Sequence, residues 1–335
     1  VEVLGDAGTD ASRGTGDQRG FASQFPWFIL HRLILYCTPA RTLTRYGLAD
    51  EVPMRIDAEV DLPPPDPDAA AHSAAVVDLL RRRIREAGGA IGFERFMDDA
   101  LYAPGLGYYM AGARKFGRGG DFVTAPELSS LFARCLARQV AEGLSQAGGA
   151  VLELGAGSGV MAADLLSELA ALDCPPGSYS ILEPSPELRA RQHETLAERV
   201  PALLSCVRWL SALPPQPMAG VIVANEVLDA MPVRRFRITG AGPRPLHVCW
   251  RDNAFGWIPG PADTELARAV ADIQTRLPHA LDDGYISEFN PTLGPWVRSI
   301  GEVLGRGLVL LIDYGYPRVE YYHPQRRAGT LMCHY

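Results

Sequence analysis

Val151-Leu-Glu-Leu-Gly-Ala-Gly-Ser-Gly159 reads as a short buried strand running into a glycine-rich turn, and Val160-Met-Ala-Ala-Asp-Leu-Leu166 opens a helix directly behind it. Gly155, Gly157 and Gly159 remove side chains where the backbone must turn sharply and where a ligand would lie against it. Glu153 stands just ahead of the turn, placed to accept hydrogen bonds from ligand hydroxyls or an ammonium group. The spacing is G-x-G-x-G. A dinucleotide fingerprint needs G-x-G-x-x-G/A, and Val160 occupies its last position. The loop points to a nucleoside ligand; a tight strand-to-helix turn with no ligand is the competing reading.

Working outward, Tyr179-Ser-Ile-Leu-Glu183 is a second apolar run ending in a carboxylate. Ser185 then serves as N-cap and Pro186 as first residue of a helix. An acid at the tip of the second strand of a doubly wound sheet is placed for ribose hydroxyls, so Glu183 takes that role. A carboxylate favoured only by a helix N-terminus is the alternative. Residues 207–210, 220–224 and 308–312 give three further strands. The fourth strand runs into Asn225-Glu226 and Asp229, the fifth into Asp313-Tyr314-Gly315. Strands alternating with helical segments argue a parallel sheet whose ligand sits at the strand C-terminal ends.

With 335 residues and 47% hydrophobic content, the chain can bury a large core. A net charge of −7 gives no electrostatic footprint for nucleic acid or an anionic membrane. Cysteines at 37, 135, 174, 206, 249 and 333 form no C-x-x-C pair or zinc spacing and read as reduced thiols. The longest apolar run, residues 25–37, is too short to span a bilayer; a surface helix over 27–36 is a minor alternative.

An N-terminal helical segment carries Val76, Leu79, Leu80 and Ile84 on one face and ends at Gly88-Gly89. Phe93, Phe96, Met97, Ala100 and Leu101 continue the pattern in a second helix. Thr124-Ala-Pro-Glu127 has capping-box spacing and predicts one helix through Leu128, Leu131, Phe132, Cys135 and Leu136. Between the fourth and fifth strands, 235–238 and 246–250 predict a hairpin, with helices over 265–277 and 296–304. Trp250, Trp257 and Tyr285 in that insertion line a groove or, as isolated aromatics, belong to the core.

Several motifs occur in one order over residues 75–335: Gly92-Phe-Glu-Arg-Phe-Met97, Leu101-Tyr-x-Pro104, Gly107-Tyr-Tyr-Met110 and Gly120-Asp-Phe-Val-Thr-Ala-Pro-Glu127. They continue with Glu153-Leu-Gly-Ala-Gly157, Glu183-Pro-Ser-Pro-x-Leu-Arg189, Asn225-Glu-Val-Leu-Asp-Ala230 and Asp313-Tyr-Gly315. Together they resemble the MidA-like methyltransferases, whose mitochondrial member is a respiratory complex I assembly factor acting as a protein arginine methyltransferase. The resemblance implies a class I Rossmann-like α/β fold binding S-adenosyl-L-methionine (SAM), with an N-terminal helical segment and an α+β insertion. It also implies a protein substrate, a complex I subunit among the candidates, and a bacterial cytoplasm or a eukaryotic mitochondrial matrix. It places the 117–121 loop, with Gly120 and Asp121, beside the cofactor; for Glu127 next to it, a direct ligand role competes with capping. Class I enzymes complete the sheet with an antiparallel hairpin, so this chain is expected to lack its C-terminal strands, leaving 308–312 as an apolar edge.

The expected organisation is an extension and Pro-rich linker over 1–74, with Met54 as an ordinary start, then a helical lid over 75–145. The SAM domain spans 146–233 plus 305–335, and a substrate-selecting insertion spans 234–304. Cofactor contacts fall to Gly120, Asp121, Thr124, Glu153, Gly155, Gly157, Gly159 and Glu183. Asn225, Glu226 and Asp229 take the transfer position, in place of the Asn-Pro-Pro-Tyr box of many amino-group methyltransferases. Two carboxylates suit a guanidinium: they hold its planar fork and draw positive charge from the attacking nitrogen, with Glu226 as base. Capping of the next helix, or binding of the methionine ammonium, is the competing role for Glu226 and Asp229. A SAM-binding assembly factor with little activity and an NAD-type oxidoreductase remain as alternatives; Val160 and the long gap from Gly155 to Glu183 argue against the latter.

Overall fold

The computed structural model describes residues 52–53, 67–111 and 124–331. The 27–36 segment, Met54, most of the proline linker, the 117–121 loop with Gly120 and Asp121, and residues 332–335 lie outside them.

Strand β1 (Val52–Pro53) precedes helix α1 (Pro67–Glu86), which begins on Pro67, inside the stretch expected as linker. Val76, Val77, Leu80 and Ile84 are buried on α1. Gly88 and Gly89 adopt positive φ and end it, with Gly89 N–H donating to Ile84 O at 2.8 Å. Strand β2 (Ala90–Gly92) leads into α2 (Phe93–Tyr102), which buries Phe93, Phe96, Met97, Ala100 and Leu101.

The expected capping box at Thr124 does not form. Thr124 precedes a single turn, α3 (Ala125–Leu128), and makes no side-chain cap bond. Ser129 is extended and interrupts the helix; its Oγ accepts from Leu131 N–H at 3.1 Å to start α4 (Ser130–Ala147). Glu127 is drawn elsewhere: its carboxylate accepts from the Ser158 hydroxyl in the glycine loop. Leu128 and Leu131 of the predicted helix are exposed.

Strand β3 (Ala150–Leu154), helix α5 (Val160–Ala171), β4 (Tyr179–Leu182), α6 (Pro186–Arg199), β5 (Val207–Leu210) and β6 (Met218–Asn225) then alternate. The insertion follows as β7 (Arg234–Thr239), β8 (Gly242–Arg251), β9 (Ala254–Pro259), α7 (Thr264–Gln274), β10 (Ile286–Phe289) and α8 (Leu293–Val303). The chain returns through β11 (Leu304–Ile312) and the short α9 (Arg318–Tyr321).

The parallel sheet has the order β11-β6-β3-β4-β5. Its strands alternate between two covered faces. Val151, Tyr179, Ile181, Val207, Val221 and Val223 meet α4 and α5 on one side. Leu152, Leu154, Ile222 and Ala224 meet Ile300 and Val303 of α8 on the other. Each fully buried Val or Leu contributes roughly 1.5–3 kcal/mol, which explains why these strands read as nearly unbroken apolar runs. Among the described residues β11 pairs on one side only, with Leu308 and Leu311 exposed.

The second sheet is antiparallel, β1-β9-β8-β7-β10, with β2 added to β8. The predicted hairpin forms as β7–β8 but in another register. Its turn is only Gly240-Ala241, so 236–239 pair with 242–245, Thr239 opposite Gly242, and residues 246–250, expected to pair with 235–238, pair with β9 instead. Helices α1 and α2 share a core with Leu246, Val248, Phe255 and Trp257 of the insertion. Tyr285 is buried with Phe236, Leu266 and Val270, Trp257 is buried with Phe93, and Arg81 lies over Trp250 at 4.8 Å, so these aromatics belong to the packing.

Candidate active site

All five parallel strands end on the same side, and the loops beyond β3, β4 and β6 enclose a cavity of about 300 Å³. Its walls include residues of the glycine loop, Glu183, and Asn225 through Val227; Tyr102, Tyr109 and Met110 enter from the N-terminal segment.

The glycine loop is built as its spacing predicts. Gly155, Gly157 and Gly159 have φ of 66°, 55° and 85°, a region that L side chains rarely adopt. Gly155 and Gly157 line the cavity; Gly159 does not. A Cβ on Gly159 would stand 3.0 Å from Gln192 Cα, so this glycine serves the close approach of α6. Thr124 reaches the cavity wall, its side chain free of any cap bond to α3, and Glu127 also lines the cavity, tied to Ser158.

Glu153 points into the sheet face that also carries Val151, and is fully buried. Tyr179 Oη donates to its Oε2 at 2.6 Å, whereas Oε1 has no hydrogen-bond partner among the described residues. Burial pushes its carboxyl up to about 7, against the pull of the Tyr179 hydroxyl and with a smaller push from Glu183. Glu183, at the tip of β4, accepts from Ser185 N–H at 3.0 Å and from Gln192 Nε2 at 3.1 Å. Ser185 caps α6 through Leu188 N–H, with Pro186 in first position.

Opposite lies a second acidic group. Glu226 has φ of 51°, a left-handed conformation costing on the order of 1–2 kcal/mol, and its N–H is held by Ile312 O at 2.9 Å. Asn225 Nδ2 approaches Glu226 Oε1 at 3.4 Å. Asp313, from the tip of β11, accepts from Leu228 N–H at 2.7 Å and Asp229 N–H at 3.3 Å. Burial, then Asp313, then Glu226 push the Asp229 carboxyl up to about 7. Burial and Asp313 also raise Glu226, and the Asn225 amide holds it back. No predicted helix follows at once; 226–231 is a loop, so capping is not the task of Glu226 or Asp229.

Two tyrosines complete the wall. The rings of Tyr102 and Tyr109 lie 5.5 Å apart at 21°, and Tyr102 Oη donates to Ala230 O at 2.9 Å, fastening α2 to the acidic loop. Burial and the neighbouring Asp229 raise the Tyr102 phenol beyond its ordinary range. Neither tyrosine, nor Asp313, was assigned to the site by sequence; all three lay in quoted motifs, but only the sheet order and the α2 packing bring them here.

Among the described residues no helix is long and apolar enough to cross a membrane. Residues 135–335 match the Methyltransf_28 family model, that of an S-adenosyl-L-methionine-dependent methyltransferase. The chain is similar to a COG1565 superfamily member from Burkholderia thailandensis whose crystal structure contains S-adenosyl-homocysteine. That match has 49% identity and a TM-score of 0.76 over 82% of this chain and 71% of that one. It is also similar to the mitochondrial protein arginine methyltransferase NDUFAF7 of Danio rerio, 30% identical over 48% of this chain and 44% of the relative. The Mus musculus counterpart is 28% identical over 73% of this chain and 62% of the relative. The chain thus spans about half of the length of these curated relatives.

Proposed function

The chain belongs to the S-adenosyl-L-methionine-dependent methyltransferase family whose model it matches, and from that premise we propose that it methylates an arginine side chain of a protein. The cofactor is SAM, and the residues present fit it. Gly155 and Gly157 offer bare backbone to the cavity, and Glu183 is oriented for ribose hydroxyls. The buried Glu153 Oε1, an acceptor with no donor among the described residues, suits an ammonium group. When bound, SAM supplies a methyl group activated by its sulfonium.

The observation that carries the acceptor assignment is that Glu226 and Asp229 both line the cavity, with Asp313 bracing their loop from behind and Tyr102 and Tyr109 beside them. An acidic, aromatic-lined wall favours a planar cation and repels a carboxylate acceptor. Glu226 and Asp229 grip the guanidinium fork and concentrate its charge away from the nitrogen that is to react. Asp229, ionised above about pH 7, and Glu226 are the candidate acceptors of the proton that nitrogen must lose. Enclosure by α2 and the loop after β6 aligns the groups and limits water, the main demands of an in-line transfer.

The relatives' names supply the remaining support, being those of mitochondrial protein arginine methyltransferases, and the resemblance to the complex I assembly factor makes a complex I subunit the first substrate to try. The test is to incubate the full chain with methyl-labelled SAM and cognate lysate, hydrolyse the labelled protein and identify the modified amino acid. Methylarginine is expected. Label in methyl-lysine, RNA or small molecules refutes the acceptor, and SAM turnover absent from every fraction favours a cofactor-binding assembly role.

A further inference from the structure

We infer that Gln192 is a positioning residue for the cofactor, locking the glycine loop and the ribose-binding carboxylate into one unit, and that Trp209, outside the cavity, sets its orientation. The inference rests on the reading of this cavity as the SAM site. Gln192 sits in the middle of α6, fully buried, where an amide needs every polar atom satisfied. Its Nε2 donates to Gly157 O at 3.0 Å and to Glu183 Oε2 at 3.1 Å. Its Oε1 accepts from Trp209 Nε1 at 2.9 Å.

The three bonds have only one consistent assignment. An indole N–H donates and cannot accept, so it must face the amide oxygen. That forces the two amide hydrogens toward two acceptors, the loop carbonyl after β3 and the carboxylate after β4. Ser185 N–H holds the other Glu183 oxygen, so both oxygens are fixed before any ligand arrives. The backbone of Gln192 lies close against Gly159, so α6 meets the glycine loop at this residue. A carboxylate so oriented meets ribose hydroxyls without reorganisation, the condition under which such hydrogen bonds contribute most.

The experiment measures S-adenosyl-homocysteine affinity by calorimetry on the full chain, alongside melting. Gln192→Leu removes all three bonds and is expected to weaken binding by roughly tenfold or more. Because that site is buried, two further variants keep the test clear of unfolding. Trp209→Phe retains the ring and Gln192 but removes the orienting donor, and should weaken binding by about threefold to tenfold. Gln192→Glu keeps the shape and the Trp209 bond but presents a carboxylate to Glu183. Charged and titratable groups around this position are Glu183, with Glu153 acting on it electrostatically, Arg189, which donates to Glu183 O and to Leu210 O, and His193, whose ring lies 5.6 Å from that of Trp209. Relative to wild type at each pH, Gln192→Glu should bind poorly at pH 8 and recover toward pH 6, as the carboxyl pair gains a shared proton and donates as the amide did. Wild-type affinity in both Trp209→Phe and Gln192→Glu at either pH overturns the inference. Absence of binding by the wild-type chain overturns instead the cofactor reading on which it rests.

Discussion

Asp313 Oδ2 accepts the backbone N–H of Leu228 at 2.7 Å, so the tip of β11 holds the loop that follows β6. The same oxygen takes Asp229 N–H at 3.3 Å, and Asp313 Oδ1 takes Tyr314 N–H at 2.8 Å. One carboxylate therefore fixes the stretch bearing Glu226 and Asp229 without lining the cavity. Asp313→Ala should leave S-adenosyl-homocysteine affinity within about threefold of wild type and lower turnover by roughly 10- to 100-fold, as expected when acceptor-side groups lose their alignment. Calorimetry and a methyl-transfer assay on one preparation check both halves; equal losses in the two would show that Asp313 supports the whole pocket.

The cofactor half is tested by Gly157→Val and Glu183→Ala. Gly157 has φ of 55°, so a branched side chain is strained there and also fills cavity space; binding should be abolished. Glu183→Ala should cost about 1.5–3 kcal/mol of affinity through loss of charge-assisted hydrogen bonds. Unchanged calorimetric affinity in either folded variant would remove the assignment of this cavity as the cofactor pocket.

Much of this pocket was legible because its parts are local. Doubly covered parallel strands print as apolar runs, a sharp βα turn prints as glycines, and Ser185-Pro186 prints as a helix start. What the sequence hid is what depends on neighbours far along the chain. Asp313 acts on Leu228 only because β11 lies beside β6, a sheet order that chain order does not reveal. Glu127 has capping-box spacing, yet Ser158 competes for its carboxylate and wins, so the box fails. Gln192 looks like a surface helix residue until α6 packs it against the glycine loop. In the antiparallel layer, Ile91 of β2 pairs with Val248 of β8, which makes the N-terminal helices part of the insertion's core.

Glu153 makes stability depend on pH. Its carboxyl is raised from 4.5 to about 7 by burial, so the folded chain binds this proton more tightly than the unfolded one. The contribution is complete below the unfolded value and is lost as pH rises through about 7. Glu153→Gln removes the titration while keeping an acceptor for Tyr179 Oη. Denaturant titrations should show the variant gaining on wild type by up to about 3 kcal/mol between pH 5 and pH 8. A pH-independent difference would mean that Glu153 does not titrate in this range.

Asp229 sets the sign of the pH–rate profile. Its carboxyl is pushed up to about 7, and a guanidinium stays cationic throughout, so only the carboxylate side titrates. If ionised Asp229 grips the acceptor, kcat/KM should rise through about pH 7 and level off above it. Asp313→Asn removes the second-largest cause of the shift and should move the midpoint to lower pH, while burial, the largest cause, keeps it above the ordinary aspartate range. Glu226→Gln preserves shape and S-adenosyl-homocysteine binding but removes charge, so turnover should fall by about 10²-fold or more. Asp229→Asn should also flatten the profile, because its amide does not titrate. A profile that falls through pH 7, or that Asp229→Asn leaves in place, would contradict an acceptor gripped by ionised carboxylates and point to a neutral acceptor in this cavity.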